Sequence, residues 1–128
     1  MLKEGFKYEK TYRVEAKDTA LSVGSGDMMV LATPTLIAHL ENAAMVVIAE
    51  ELDTEYSSVG GYVELKHLSP TFCGMTFKVC AEIVAVDGKK VDFKLLATDD
   101  NGIIAEGVHT RFIVNREKFT ERAKNIKG

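Results

Sequence analysis

The stretch that decides the fold is Ala32–Leu52, ATPTLIAHLENAAMVVIAEEL. Its apolar side chains recur with the 3.6-residue period of a helix. They are Leu36, Ile37, Leu40, Ala43, Ala44, Val47 and Ile48. Thr33 is of a type that caps helices, and Pro34 suits the first helical position because its missing N–H needs no partner there. The sequence predicts a helix that begins at Thr33 or Pro34 and is covered by protein on most sides.

One carboxylate, Glu41, lies near the middle of this apolar helix. Its helical neighbours, three and four positions away, are all apolar: Ile37, Ala38, Ala44 and Met45. An ionised carboxylate in such surroundings is costly unless it is paired. Glu41 is therefore interpreted in two ways, as a group bonded to a backbone amide or to an Arg or Lys, or as a functional acid.

Composition places limits on the whole chain. A length of 128 residues and an apolar share of 46% are typical of one globular domain, spanning residues 1–128. A net charge of −3 gives no reason to expect nucleic acid as a partner. We expect no membrane association and a cytoplasmic location, since no apolar run is long enough to span a bilayer and the N-terminus is charged. Cys73 and Cys80 are too far apart for a CxxC unit, so they are given no chemistry.

Alternation of apolar and polar residues predicts five strands around this helix. They are Tyr8–Ala16, Tyr62–Leu68, Thr76–Val86, Val91–Ala97 and Ile103–Val114. VDGKK and DDNG supply turns between the later strands, KDTALSVGSGDMMVLA is expected to be a flexible connection, and DTEYSSVGG a loop. The last strand places Ile104, Val108 and Phe112 on one side and His109 and Arg111 on the other. A charged tail, REKFTERAKNIKG, ends the chain.

The order of these elements predicts an α+β domain, in which one strand and one buried helix precede an antiparallel meander. A curved antiparallel sheet wrapped around one long central helix would cover such a helix, and this architecture is the hotdog fold. The sheet has two edges, and pairing two protomers edge to edge would remove one of them. We therefore expect a homodimer, or a tetramer built as a dimer of dimers.

Three side chains form the candidate catalytic set: Thr33 at the helix start, Glu41 eight residues on, and His67 on the apolar face of the next strand. They would converge either within the monomer or across a dimer seam. A buried carboxylate beside an imidazole is a plausible acid/base couple. The structural alternatives are a satisfied core or interface histidine at His67 and a simple helix cap at Thr33.

Other constellations are weaker. A metal site would draw on His39, Glu41, His67 and His109, but His39 and Glu41 are two apart on a helix and point in different directions. The spacing therefore argues against a metal. Gly60 and Gly61 would let a backbone N–H approach a ligand closely, or would only form a turn. No glycine motif of the P-loop or dinucleotide-binding type is present.

From about Tyr12 to Phe119 the chain resembles the hotdog-fold thioesterases of the fluoroacetyl-CoA thioesterase-like family. The segments that carry the resemblance are LATPTLIAHLENAA, VGGYVELKHLSPTFCGM and EGVHTRFIVNREKF. It implies that Thr33, Glu41 and His67 hydrolyse an acyl-CoA thioester to a free acid and CoA, with no cofactor. In this scheme Glu41 attacks the carbonyl or activates a water, His67 is its acid/base partner, and Thr33 orients Glu41 or the water. The amide of Gly60 or Gly61 would polarise the carbonyl.

The substrate is narrowed by one departure from the family. The member specialised for fluoroacetyl-CoA has an aromatic lid ahead of the catalytic threonine, whereas Ala20–Ala32 contains no aromatic residue. A short-chain acyl-CoA is therefore expected. Arg111, which matches a family arginine, would hold the acyl or pantetheine end; its alternatives are a surface charge or an ion pair with Glu106 or Glu41.

Basic residues at the mouth of the pocket would meet the phosphates of CoA. The candidates are Lys66, Lys89, Lys90 and Arg116. Two other functions stay open from the sequence. One is a non-catalytic module that binds acyl-CoA. The other is a hotdog-type enoyl-CoA hydratase, which would need an Asp/His pair near the helix entrance.

Overall fold

One long helix lies across one antiparallel sheet in the computed structural model, which describes residues 1–127. In chain order the elements are β1 (Lys7–Arg13), a 3-10 turn (Ala16–Asp18), α1 (Ala20–Val23), α2 (Thr33–Ala49), β2 (Tyr56–His67), β3 (Thr76–Asp87), β4 (Lys90–Asp99), β5 (Gly102–Asn115) and α3 (Arg116–Lys127). The strand order is β1-β3-β4-β5-β2, and every pairing is antiparallel. Because α2 contacts all five strands, the sheet curves around it. The predicted α+β hotdog architecture is confirmed.

The core lies between α2 and the inner face of the sheet. The helix contributes the fully buried side chains Leu36, Leu40, Ala44 and Ile48. The sheet contributes Phe77, Val79, Ile83, Phe93 and Leu95, each no more than 2% exposed. Burying one such large side chain contributes roughly 1.5–3 kcal/mol relative to leaving it in water. This packing holds the helix, and with it Glu41, in a fixed position over the sheet.

The start of α2 differs from the prediction in one respect. The helix begins at Thr33, as expected, but its N-cap is Ala32, and no side chain caps the free amides there. The hydroxyl of Thr33 bonds to His67 instead. The expectation that Thr33 is a helix cap is therefore wrong, because a residue inside the first turn directs its side chain away from those amides.

Gly60 and Gly61 were expected in a loop, but both lie within β2, which begins at Tyr56 rather than Tyr62. Gly60 pairs with Arg111 and Tyr62 pairs with Thr110, so Gly61 is the extra residue of a β-bulge. A bulge reverses the inward and outward alternation of a strand. As a result, His67 faces α2 together with Gly60, although the two are seven positions apart.

The segment expected to be flexible before α2 contains the 3-10 turn and the single turn of α1. Thr19 is buried there, and its hydroxyl donates to the carbonyl of Ala16 and accepts from the amide of Ser22. Thr19 also bridges to Leu31, which ties the segment to the start of α2. At the other end of the chain, the predicted charged tail forms α3. No helix within residues 1–127 has both the length and the apolar character needed to cross a membrane.

Candidate active site

The first half of the site is a hydrogen bond between the start of α2 and the end of β2. The Thr33 Oγ1 atom lies 2.7 Å from His67 Nδ1. Both residues line an open cavity of about 350 Å³. Its other walls are mostly small or aliphatic: Ala20, Ser25, Val30, Leu31, Leu68, Ser69 and Pro70. A polar pair in an apolar recess is the arrangement expected of a ligand site.

Within the part of the chain that the structure describes, one ring nitrogen of His67 is hydrogen-bonded, and the other is not. Its Nε2 atom is buried and has no hydrogen-bond partner among residues 1–127. Burial lowers the pKa of His67, and the nearby backbone of Ser69, which forms no hydrogen bond of good geometry with the ring, opposes this shift only in part. The ring therefore resists protonation, and its Nε2 is open to a group outside the described chain. A buried polar atom left without a partner in this way is a common feature of functional sites.

The second half of the site surrounds Glu41, about 12 Å along the helix from Thr33 at 1.5 Å per residue. Gly60 faces the half-buried Glu41 from the sheet: a Cβ built on this glycine would lie 3.1 Å from Glu41 Oε2. It would lie 3.2 Å from His109 Cε1 and 3.5 Å from Arg111 Nη1. A carboxylate, an imidazole and a guanidinium thus surround the bare backbone of Gly60.

Within residues 1–127, the carboxylate of Glu41 accepts no hydrogen bond from a side chain or a backbone amide. It also forms no ion pair within 4.0 Å in that range. The interpretation of Glu41 as a group permanently bonded to an amide or to an Arg or Lys is therefore wrong. No hydrogen bond joins Glu41 to Thr33 or His67 either. The structure brings Thr33 and His67 together and places Glu41 in a separate cluster.

His109 belongs to this cluster, although the sequence indicated it only as a candidate metal ligand. It is 1% exposed, and its Nδ1 atom lies 2.7 Å from the carbonyl oxygen of Tyr62. Burial is the largest cause that lowers its pKa; the bond to Tyr62 opposes the shift, and the Arg111 charge adds to it. The sequence carried one signal for this residue, because His109 and Arg111 alternate on one face of β5.

Arg111 is 7% exposed, so its interpretation as a surface charge is wrong. Its Nε donates to Ser58 Oγ and its Nη2 to the Ser58 carbonyl, both at 2.9 Å. No carboxylate of residues 1–127 lies within ion-pair distance of it, so the pairings with Glu106 and Glu41 are also wrong. Burial lowers the pKa of the guanidinium, and Glu41 opposes that shift. Arginine stays protonated even so, which leaves a fixed positive charge beside Gly60.

A second irregularity explains this burial. Ala97 pairs with Ala105 and Thr98 pairs with Ile103, so Ile104 is an extra residue in β5, and both Ile104 and Ala105 are buried. Beyond that point Val108 and Phe112 are on the exposed face, 46% and 39% exposed. The apolar side of the predicted strand is therefore the outer side, and the polar side faces α2.

The other candidates are dispersed. His39 stacks on Tyr12 with ring centroids 3.8 Å apart, away from His67 and His109. No group of three or more potential metal ligands occurs in the described part of the chain. Gly61 faces the opposite side of the sheet from Gly60, where a Cβ would lie 2.5 Å from the Phe112 ring. The four basic candidates for the CoA phosphates are all exposed: Lys66, Lys89, Lys90 and Arg116.

Comparison with known proteins places this chain in a family. The model of the fluoroacetyl-CoA-specific thioesterase family matches residues 14–117. The chain belongs to the fluoroacetyl-CoA-specific thioesterase family. It is similar to the fluoroacetyl-CoA thioesterase of Streptantibioticus cattleyicolor, with 28% identity over 95 residues, which are 74% of this chain and 68% of that relative.

Solved structures agree on the fold. A fluoroacetyl-CoA thioesterase superposes with a TM-score of 0.91 at 22% identity, covering 100% of this chain and 99% of the other. A variant of such an enzyme in complex with acetyl-CoA gives 0.91 at 22% identity, covering 99% and 100%. A thioesterase superfamily member from Thermus thermophilus gives 0.90 at 25% identity, covering 99% and 94%.

Family membership confirms two predictions from the sequence. The resemblance to hotdog-fold thioesterases is correct, and the chain is an acyl-CoA thioesterase, a hydrolase of thioesters. The alternatives of an enoyl-CoA hydratase and a non-catalytic module gain no support from this family. Family membership establishes the class of reaction. It does not identify the acyl group or the catalytic residues.

Proposed function

We propose that this thioesterase hydrolyses short-chain acyl-CoA with Glu41, His67 and Thr33, at a site completed by a second copy of the chain. The observation that supports this most directly is the presence of two incomplete half-sites. One half holds an imidazole whose Nε2 has no partner in the described chain, and the other holds a carboxylate with none. Each half presents the group that the other lacks.

The free edge of β2 supplies a way to join the halves. Strand β2 lies at one end of the sheet order and is 12 residues long, so one side of a long strand has no partner within residues 1–127. Gly60 and His67 face the same side of it. Antiparallel pairing with a second β2, about a two-fold axis at Glu64 and with the bulge residue Gly61 left unpaired in both strands, puts Gly60 opposite the partner's His67. Glu41 then faces the partner's imidazole, and the exposed β2 edge of each protomer is removed.

The reaction needs a nucleophile, a donor to the carbonyl oxygen and a proton for the leaving thiolate. In this arrangement the acyl carbonyl lies at Gly60, next to the positive charge of Arg111. Glu41 either attacks the carbonyl carbon or takes a proton from the water that does. In the water route Glu41 passes that proton to the partner's His67, the C–S bond breaks, and His67 delivers the proton to the CoA sulfur while water supplies the new oxygen of the acid. In the covalent route His67, protonated from solvent, delivers its proton to the sulfur that Glu41 displaces, and then takes a proton from the water that hydrolyses the acyl-enzyme. Both routes consume one water and give the same products, and no cofactor is required.

Thr33 fits this proton transfer because its hydroxyl can accept from Nδ1 of His67. When both ring nitrogens carry protons, Nε2–H is the acid that serves the leaving sulfur. Once that proton has left, Nδ1 still donates to Thr33 and Nε2 is a base. The Thr33 hydroxyl therefore keeps Nε2 facing the substrate in both states.

The walls of the cavity favour a short, unfluorinated acyl group. No aromatic ring lines the recess beside Thr33 and His67, which has Ala20, Ser25 and Val30 where an aromatic lid would be expected. Lys66, Lys89, Lys90 and Arg116 are the exposed cations available to the phosphates of CoA. The proposal includes the cytoplasmic location expected from the sequence.

Release of free CoA, followed with a thiol reagent, tests the proposal. The panel contains acetyl-, propionyl-, butyryl-, octanoyl- and fluoroacetyl-CoA, and we expect the fastest turnover with the short unfluorinated substrates. Glu41→Gln and His67→Ala should each lose about a hundredfold or more in kcat. His39→Gln is the matched control, since His39 stacks on Tyr12 outside the site. Equal rates in wild type and both site variants would refute the assignment.

A further inference from the structure

The mechanism above leaves one buried titratable residue of the cluster unused. We infer that His109 is a positioning residue that fixes the guanidinium of Arg111 beside Gly60, where Arg111 binds the carbonyl oxygen of the acyl group. This inference rests on the proposed function. It gives His109 a role next to the reacting atoms in which the imidazole itself does not react.

The hydrogen bonds of His109 determine where its proton is. Its Nδ1 atom lies 2.7 Å from the Tyr62 carbonyl oxygen, which can only accept, so Nδ1 carries the proton. In the neutral ring Nε2 is then a lone-pair acceptor, and it lies 3.3 Å from Arg111 Nη1, which can only donate. The two contacts together require the neutral Nδ1–H tautomer. The Tyr62 carbonyl that selects this tautomer belongs to the residue directly after the bulge at Gly61 in β2.

Arg111 is held at three points by the surrounding chain. Two of its donors bond to Ser58 and one bonds to His109. A guanidinium has five N–H groups, so one remains on each terminal nitrogen. The Ser58 contacts fix Nε and Nη2, whereas the contact with His109 is the only one at Nη1 among residues 1–127. Because the guanidinium is planar, His109 completes its three-point fixation, and it does so at the nitrogen that faces Gly60.

The space beside Gly60 has the size and polarity for an oxygen atom. The position of the missing Cβ is 3.5 Å from Arg111 Nη1 and 3.1 Å from Glu41 Oε2. A carbonyl oxygen drawn slightly toward Nη1 would accept its remaining N–H, while the carbonyl carbon would lie on the side of Glu41. Donors fixed before the reaction stabilise a developing oxyanion without a cost of reorganisation. An acceptor that fixes such a donor acts on the rate through it.

A double-mutant cycle distinguishes positioning from a purely structural role. His109→Leu removes both hydrogen bonds at similar volume, and we expect at least a tenfold loss of kcat with KM little changed. Arg111→Leu should lose about a hundredfold, as for removal of an oxyanion donor. If His109 acts through Arg111, the double variant should be no slower than Arg111→Leu alone. Multiplicative losses would overturn the inference, as would a His109→Leu variant as fast as wild type.

Rescue gives a second readout. His109→Gln restores an amide that donates to Tyr62 and a carbonyl that accepts from Arg111, so we expect it to recover several-fold over His109→Leu. If His109→Leu does not fold, the cycle is run with His109→Gln and Arg111→Lys, and multiplicative losses in that cycle would likewise overturn the inference. His39→Leu is the control for loss of a half-buried histidine and should keep wild-type kcat.

The outcome also separates this inference from the proposed function. A wild-type chain that releases no CoA, or Glu41→Gln and His67→Ala variants as active as wild type, would refute the proposed function. A wild-type chain that is active and dependent on Glu41 and His67, but with multiplicative losses in the cycle, would refute only the role of His109.

Discussion

Thr33 Oγ1 and His67 Nδ1, 2.7 Å apart, connect the first residue of α2 to the last residue of β2. The contact joins the N-terminus of the central helix to a strand at the edge of the sheet. Since Ala32, not Thr33, is the N-cap of α2, the hydroxyl has no structural task at the helix end. We therefore expect the Thr33 hydroxyl to affect the rate of catalysis and not the free energy of unfolding.

Variants of Thr33 test this separation. Thr33→Val removes the hydroxyl at nearly constant volume and should lower kcat by about tenfold to a hundredfold, because His67 loses the group that orients it. Thr33→Ser keeps the hydroxyl and should stay close to wild type. Loss of a helix cap typically costs about 1 kcal/mol, so denaturant unfolding of Thr33→Val should show a smaller change than that. A valine variant with full activity and reduced stability would reverse the interpretation.

Gly60→Ala tests whether the space beside the cluster is used. The new Cβ would lie 3.1 Å from Glu41 Oε2 and 3.2 Å from His109 Cε1, both tighter than ordinary contacts. The backbone of Gly60 does not have positive φ, so the substitution strains nothing but these neighbours. We expect a large loss of kcat/KM with a thermal unfolding midpoint close to that of wild type. Unchanged kinetics would show that no substrate atom approaches this glycine.

The strands and helix could be predicted from the sequence because they follow simple periods. The stripe from Leu36 to Ile48 has one helical solution, and alternation along β3 and β4 is regular enough to identify their inner faces. Prediction failed where an extra residue enters a strand. Gly61 in β2 and Ile104 in β5 each reverse the alternation that follows. A Gly-Gly pair is typical of a turn as well as of a bulge, and no residue type marks Ile104 as a bulge.

The sequence did not reveal the role of Gly107, and the structure predicts a loss of stability on its substitution. A Cβ at this position would collide with the backbone carbonyl oxygen of Glu64 on the neighbouring strand. A backbone atom in a paired strand cannot move aside as a side chain can, so Gly107→Ala should destabilise the fold by about 1–3 kcal/mol. Denaturant unfolding at fixed protein concentration measures the change. An unchanged midpoint would mean that β2 and β5 can separate locally at no cost.

The buried histidines predict how stability depends on pH. Burial lowers the pKa of His109 and His67 below the ordinary value of 6.5. The unfolded chain takes up protons near that value while the native chain resists them, so protons favour unfolding. The stabilisation is complete above 6.5 and is lost as pH falls toward the lowered native values.

Denaturant unfolding at a series of pH values checks this prediction. The free energy of unfolding of wild type should fall between about pH 7 and about pH 5, and His109→Gln should show a shallower fall. Protein concentration is held constant, because dimerisation would shift apparent stability. A glutamine variant with the same slope as wild type would show that His109 does not contribute.

The candidate residues could be selected individually from the sequence, whereas their grouping could not. Glu41 and His67 interrupt apolar faces, and Thr33 lies at the start of the helix. His109 and Arg111 were not placed in the site because their burial depends on the irregularity at Ile104. The separation of Glu41 from His67 within one chain depends on the length of α2, and a sequence pattern does not show which partner closes such a gap.

Complementation between two inactive variants tests whether a second chain closes it. If each site combines Glu41 of one protomer with the partner's His67, a heterodimer of Glu41→Gln and His67→Ala chains contains one site with both native residues. One of its two sites is then intact, so the purified heterodimer should recover about half of wild-type activity. The two chains are co-expressed with different tags, and the doubly tagged fraction is assayed for release of CoA. If both residues of each site came from one chain, no heterodimer would contain an intact site, and activity would stay at the level of the separate variants.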